Sequence, residues 1–163
     1  MISLYKLIKA FTICIQICAS LVALFVVYMI FAFFDYQGGI DNFVGMIILQ
    51  PLMAIIISVF TLFICFLIGL PIRINKKLNK FWRERFYLAP ILVLCGIISC
   101  IFSLLPAFTE EIEVAEHIVR FPNLFFSIIG WFLIAFGFLH LYLPYKIEKR
   151  LTDWASRFHN FVK

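Results

Sequence analysis

The chain has 163 residues, of which 64% are hydrophobic and only 14% are charged, and its formal net charge is +5. This composition lies outside the range of soluble globular domains and predicts an integral membrane protein. It also excludes a nucleic-acid-binding domain, because the basic residues flank apolar segments and do not form a basic face on a soluble fold.

Four long segments without Asp, Glu, Lys or Arg cover most of the chain. A helix of roughly 20 apolar residues crosses a hydrocarbon core of about 30 Å, since each residue adds about 1.5 Å. We therefore predict an all-α polytopic fold, a bundle of four transmembrane helices that forms one integral membrane domain over residues 1–163. The predicted spans are residues 10–34, 46–72, 87–108 and 122–144.

The charged residues between these segments are distributed by sign. All but one of the 14 Lys and Arg residues fall in the first, third and fifth aqueous segments, whereas the second and fourth hold six of the nine acidic residues. Because short loops rich in Lys and Arg stay in the cytoplasm, both termini are predicted to be cytoplasmic. The predicted location is a bacterial cytoplasmic (inner) membrane, with several passes.

The second span contains a proline, Pro51, close to its beginning. Proline lacks the N–H that an interior helical turn needs, but it is well tolerated at the start of a helix. We therefore expect the regular helix to kink or begin at this residue.

Every span carries one narrow face of small or polar residues at helical spacing. In lipid, helices associate through close packing and interhelical hydrogen bonds, so small residues collect at their contacts. Packing within the bundle is the favoured interpretation, and the alternative is that these residues line a polar path through an oligomer. They are Gln16, Gln50, Ser58, Thr61, Cys65, Gly69, Gly96, Ser99, Ser103, Gly130 and Gly137.

Two basic segments, the connection between spans two and three and the tail 145–163, have apolar residues at helical spacing. Both are predicted to be amphipathic helices on the inner leaflet, where each Lys or Arg adds roughly 1 kcal/mol of attraction to anionic lipid. Docking of a cytoplasmic partner is the alternative. The predicted leaflet contacts are Lys76, Lys77, Lys80, Trp82, Arg83, Lys149, Arg150, Trp154 and Arg157.

The outer connection 109–123 is acidic, with Glu110, Glu111, Glu113 and Glu116. A short helix is expected to begin at Thr109, a good N-cap residue followed by carboxylates that favour a first turn. Glu113 and His117 then fall on one helical face, but one histidine with scattered carboxylates is weak evidence for a metal site. An acidic patch that contacts another protein is the preferred interpretation.

The chain lacks the residue patterns of most membrane enzymes and carriers. Its five cysteines lie inside the spans without any C-x-x-C, which excludes a membrane disulfide oxidoreductase. No ionisable acid or base other than His140 lies within a span, so ion-coupled carriers, voltage sensors and intramembrane aspartyl proteases are not expected. His140 itself is expected to be a hydrogen-bonded histidine near the interface, not a proton relay.

The sequence therefore predicts a non-enzymatic membrane protein without a cofactor or a metal. Its expected partners are an anionic inner leaflet and either another membrane protein or further copies of itself. It would act by binding, as an immunity or exclusion factor, an assembly subunit or a regulator. The main alternative is an oligomeric channel or passive small-solute transporter, and the third is a lipid-modifying enzyme that uses His140 or Glu113.

Overall fold

The computed structural model describes residues 4–34, 43–114 and 117–142, and beyond them Pro144, Ile147, Arg150 and Trp154. The predictions for Glu116, for Lys149 and Arg157 and for most of the tail lie outside the described residues. The elements in chain order are helix α1 (Leu4–Phe34), a π-helical turn (Gly45–Leu49), helices α2 (Gln50–Ile74), α3 (Lys76–Glu84) and α4 (Leu88–Leu104), strands β1 (Glu110–Val114) and β2 (His117–Phe121), and helix α5 (Leu124–Leu139).

Two helical stretches are long and apolar enough to cross a membrane, Lys9–Phe33 and Gly45–Ile74. Helices α3 and α4, bent by 73° at their junction, make a third if the pair is one span, and α5 is a shorter apolar helix. The 16 residues of α5 measure about 24 Å at about 1.5 Å each, less than a hydrocarbon core of about 30 Å. The described part of the chain thus has two, or up to three, helices fit to span a membrane, as expected of a membrane protein.

The predicted effect of Pro51 is confirmed. This proline stands in the first turn of α2, directly after the π-helical turn that ends at Leu49. A first-turn N–H has no partner inside its own helix, so the missing donor costs little there. The regular helix accordingly begins at Gln50.

Helix α3 follows α2 after a single residue, Asn75. The Asn75 Oδ1 accepts hydrogen bonds from the backbone N–H groups of Lys77 and Leu78, at 2.9 and 3.4 Å, and so caps the new helix. This cap stops α2 and lets the chain change direction. The predicted amphipathic helix between spans two and three is present.

The expected helix at Thr109 is wrong, because the connection 109–123 contains a β-hairpin. Strands β1 and β2 pair antiparallel, with Glu111 opposite Arg120 and Ile112 opposite Val119. Polar and β-branched residues alternate along β1, a period of two that favours a strand over a helix. The Thr109 hydroxyl donates to the Pro106 carbonyl at 3.1 Å instead of capping a helix.

Helix α5 lies at the centre of the packing and contacts α1, α2 and α4. Its closest neighbour is α4, which runs antiparallel to it. A Cβ on Gly96 of α4 would lie only 2.7 Å from the carbonyl oxygen of Gly130 of α5. The buried core draws on all four long helices: Leu24, Leu62, Cys65, Cys100, Ile134, Ala135 and Leu139.

Candidate functional site

The predicted small and polar faces lie inside the bundle. Gln16, Ser58 and Thr61 are 4%, 1% and 5% exposed. Gln50 and Ser99 are half-buried. The remaining members are buried as well: Cys65, Gly69, Gly96, Ser103, Gly130 and Gly137. One chain therefore brings together faces that the channel interpretation would have required to meet between copies.

Several of the buried polar groups form hydrogen bonds between helices. The Trp131 indole N–H donates to Thr61 Oγ1 at 2.8 Å, and Tyr28 Oη donates to Gln50 Oε1 at 2.9 Å. The Ser99 hydroxyl donates to a carbonyl of α5 at 2.8 Å. In an apolar surrounding an unmade hydrogen bond is costly, so these pairs help to select one arrangement of the helices.

His140 ends α5 and is fully buried. Its ring stacks on Phe136 at 4.2 Å between centroids, and its Nδ1 lies 3.0 Å from the Phe136 carbonyl oxygen. The ring also fills the space beside Gly69, where an added Cβ would overlap it. The glycine of α2 thus makes room for the histidine, which is hydrogen-bonded as expected and enclosed by the protein.

Trp82 of α3 packs against the same end of α5. Its indole N–H donates to the His140 carbonyl oxygen at 2.9 Å, and its ring meets Phe136 edge to face. The structure places the side chain of Trp82, predicted as a leaflet contact, half-buried against the end of α5.

Arg73, in the last turn of α2, connects three helices. Its Nη2 donates to the Leu139 carbonyl oxygen at 3.0 Å and lies 3.5 Å from Gln16 Oε1. The Gln16 amide in turn donates to the Leu141 carbonyl oxygen at 2.7 Å. The last carbonyls of a helix lack intrahelical partners and carry partial negative charge, which a guanidinium satisfies well.

An open cleft surrounds this arginine at the basic end of the molecule. It consists of two adjoining cavities of about 1030 and 360 Å³, and both are lined by Lys9, Arg73, Asn79 and Arg83. We call it the basic cleft. Lys76, Lys80 and Glu84 of α3 line only the larger cavity.

The predicted leaflet contacts on α3 differ in whether they line the basic cleft. Lys76, Lys80 and Arg83 line it, whereas Lys77 is exposed and lines neither cavity. Among the predicted tail contacts that the structure describes, Arg150 and Trp154 are exposed. Lys9, Arg73 and Asn79 are not among the site residues predicted from the sequence. The feature that could have indicated them is the cation that flanks each apolar segment.

The described residues contain no group of three or more His, Cys, Asp or Glu side chains able to hold a metal ion. Of the predicted acidic patch, Glu110, Glu111 and Glu113 fall in β1. The arrangement thus offers a cation-lined cleft at one end and a hairpin with an acidic strand at the other. Comparison with known proteins found no matching family model, curated protein or solved structure.

Proposed function

We propose that the chain is a non-enzymatic four-span protein of a bacterial cytoplasmic membrane that acts by binding another membrane protein. It would serve as an immunity or exclusion factor, an assembly subunit or a regulator. The outer hairpin is the observation on which this proposal rests. It supplies a contact surface outside the bundle, while several polar groups inside the bundle, such as Thr61 and Trp131, are hydrogen-bonded to one another.

The four-span topology is supported by how the ends of the helices meet. The basic cleft is lined by Lys9 before the first span, by Arg73 and α3 after the second, and by Pro144 at the end of the fourth. The ends predicted to be cytoplasmic for these three spans therefore lie at one end of the molecule, as expected from the positive-inside rule for an even number of spans. The hairpin joins α4 to α5 at their other ends.

The hairpin is an unusual element for a chain of this kind. Its two strands pair only with each other in the described part of the structure, so each has one open edge. An isolated two-stranded hairpin is marginally stable in water, and an open edge is a template for pairing with another chain. Addition of a strand from a partner would both stabilise the hairpin and pair its open edge.

The acidic character of β1 indicates the kind of partner. Glu110, Glu111 and Glu113 place three carboxylates within five residues, against the single Arg120 of β2. Complementary charge raises the rate of association and suppresses wrong partners. The partner surface is thus expected to be an extended segment with Lys or Arg residues on the extracytoplasmic side of the membrane.

Reversal of the acidic strand is the direct test. The triple substitution Glu110→Lys, Glu111→Lys and Glu113→Lys should abolish co-purification of the partner after crosslinking in native membranes, because it turns attraction into repulsion. Glu84→Lys, a reversal at the basic end of the molecule, should leave co-purification unchanged. The proposal fails if no protein is enriched over mock membranes, or if the triple variant retains everything that the unsubstituted chain captures.

The channel alternative makes a different prediction. Ser58 and Thr61 are 1% and 5% exposed and face neighbouring helices of the same chain, so the bundle would have to open before they could line a pore. Liposomes containing the purified protein should show no solute flux above protein-free liposomes. A selective flux that Ser58→Leu abolishes and Val59→Leu, on the exposed face of α2, leaves intact would replace the binding proposal with a channel.

The enzyme alternative has less support from the geometry. His140 is 0% exposed, stacks on Phe136 and lies against Gly69. A general base has to reach the proton that it removes, directly or through one water molecule. A histidine enclosed in this way is positioned to join helices, not to contact a lipid ester.

A further inference from the structure

The basic cleft concentrates positive charge within the part of the chain that the structure describes. Its larger cavity is lined by five cations, Lys9, Arg73, Lys76, Lys80 and Arg83, and by one carboxylate, Glu84. That carboxylate lies 3.7 Å from the Lys80 ammonium, in a pair that is largely exposed on both sides. Like charges brought together repel each other, and a bound anion would relieve the repulsion.

The smaller cavity contains two polar groups that the fold leaves unused. Arg73 Nε and Tyr142 Oη are both buried, and neither has a hydrogen-bond partner within the described residues. Both residues line this cavity, and the Tyr142 ring centroid lies 5.9 Å from the Arg73 guanidinium carbon and 5.7 Å from that of Arg83. Buried donors normally have partners, so two of them beside one cavity indicate a ligand that accepts hydrogen bonds.

The donors match a phosphate group. A guanidinium presents several N–H groups in a planar fork that suits phosphate oxygens, and a tyrosine hydroxyl can donate to the same anion. Among the described residues, Arg73 Nη2 contacts the Leu139 carbonyl and Gln16, whereas Nε has no partner. The Nε–H group can therefore donate to a ligand without loss of the contacts that join the helices.

The smaller cavity also has an apolar part, which lies between α1 and α2 beside the polar side chains of Thr12 and Gln16. Ile13, Phe66 and Leu70 line it beyond the arginine, and Phe66 is partly exposed on the outside of the bundle. A soluble phosphate would leave these side chains uncovered. A lipid acyl chain would cover them, because burial of apolar surface is favourable next to an anchored headgroup.

We propose that the basic cleft is a binding site for an anionic phospholipid, whose phosphate contacts Arg73, Arg83 and Tyr142 and whose acyl chain lies along Ile13, Phe66 and Leu70. This site is distinct from the general attraction of basic residues to the leaflet, since it selects one lipid molecule by shape and hydrogen bonding. The inference rests on insertion in a membrane and is independent of any protein partner.

The experiment measures lipid retained by the purified full-length protein in detergent, by native mass spectrometry. The probes are phosphatidylglycerol, phosphatidylcholine as a zwitterionic lipid of equal chain length, and inorganic phosphate as a competitor. We expect phosphatidylglycerol to be retained about tenfold more strongly than phosphatidylcholine. Phosphate at millimolar concentration should not displace it, because phosphate lacks the acyl chain.

Three variants separate the site from general charge attraction. Arg83→Gln should reduce retention of phosphatidylglycerol about tenfold and Tyr142→Phe, which removes only the hydroxyl, about threefold. Lys77→Gln, a matched loss of charge on α3 outside the cleft, should change it less than twofold. A further variant, Arg73→Gln, also breaks a contact between helices. The thermal stability of this variant without added lipid must therefore be measured together with its retention of phosphatidylglycerol.

Each contrary result overturns the proposal in a recognisable way. If Lys77→Gln weakens retention as much as Arg83→Gln, only the general surface charge attracts the lipid. If phosphate competes fully and both lipids bind equally, the cleft binds a soluble anion. If neither Arg83→Gln nor Tyr142→Phe changes retention, the cleft is not the site. Crosslinking to a protein partner is measured separately, so failure here leaves the partner proposal intact.

Discussion

Gly96→Ala is expected to lower the free energy of unfolding sharply, although it adds a single methyl group. A Cβ at this position would lie 2.7 Å from the Gly130 carbonyl oxygen and 2.9 Å from the Ile134 backbone nitrogen. These are backbone atoms of α5, which cannot rotate away as a side chain can. The two helices would have to separate, and their close contact would be lost along its length.

The expected size follows from the way helices associate in lipid. Overpacking a well-packed core costs about 1–3 kcal/mol, and we expect Gly96→Ala near the upper end because helices in lipid associate mainly by close packing. The free energy of unfolding can be measured by titrating mixed micelles with SDS and following helix content by circular dichroism.

Gly45→Ala is the matched control for this substitution. No atom lies within 4 Å of a Cβ placed on Gly45, in the π-helical turn. Alanine also costs less conformational entropy than glycine in a helix, so the control should be neutral or stabilising by up to about 1 kcal/mol. Equal effects at the two glycines would show that the close approach of α4 and α5 does not stabilise the bundle.

Cysteines introduced at the two ends of the molecule are expected to differ completely in their accessibility to a reagent outside the cell. A cysteine introduced by Glu116→Cys should react with a membrane-impermeant maleimide in intact cells. One introduced by Lys80→Cys should react only after the membrane is permeabilised. Lys80 belongs to a cationic segment that the positive-inside rule predicts to be cytoplasmic, and Glu116 belongs to the acidic connection between the third and fourth predicted spans.

This comparison tests whether the two short helices cross the membrane. Helices α4 and α5 have 17 and 16 residues, about 24 to 26 Å in length, so spanning requires local thinning of the bilayer at a modest cost. The unsubstituted chain gives the background from the native cysteines. If both introduced cysteines react only after permeabilisation, α4 and α5 enter and leave on the same side, and the four-span proposal is wrong.

The small-residue faces illustrate how far helical spacing can be used. Ser58, Thr61 and Cys65 follow one another at helical intervals, and the structure buries all three. Spacing predicts the shared face because side chains three and four residues apart lie on the same side of any helix. It could not say which helix each face meets, since that depends on contacts between residues far apart in sequence.

The hairpin formed by β1 and β2 shows where local signals conflicted. Thr109 followed by glutamates is a credible helix start, whereas the alternation through Ile112 and Val114 is typical of a strand. Strand pairing with residues 117–121 resolved the conflict, because each strand satisfies the other's backbone groups. The two-residue alternation of apolar side chains was therefore a stronger signal here than the N-cap threonine and the glutamates of a first helical turn.

The sequence by itself determined that the chain has helices fit to span a membrane, where they lie, and which of their faces are small or polar. Those properties depend on runs and periods of neighbouring residues. Only the tertiary structure decided that Lys9 and Tyr142 share one cleft with Arg73 and Arg83, because long apolar helices separate Lys9 and Tyr142 from that pair in the sequence. Because the long helices pack antiparallel, the chain returns to the same end of the molecule after every two of them. This return brings together the residues of a site that no local sequence pattern predicts.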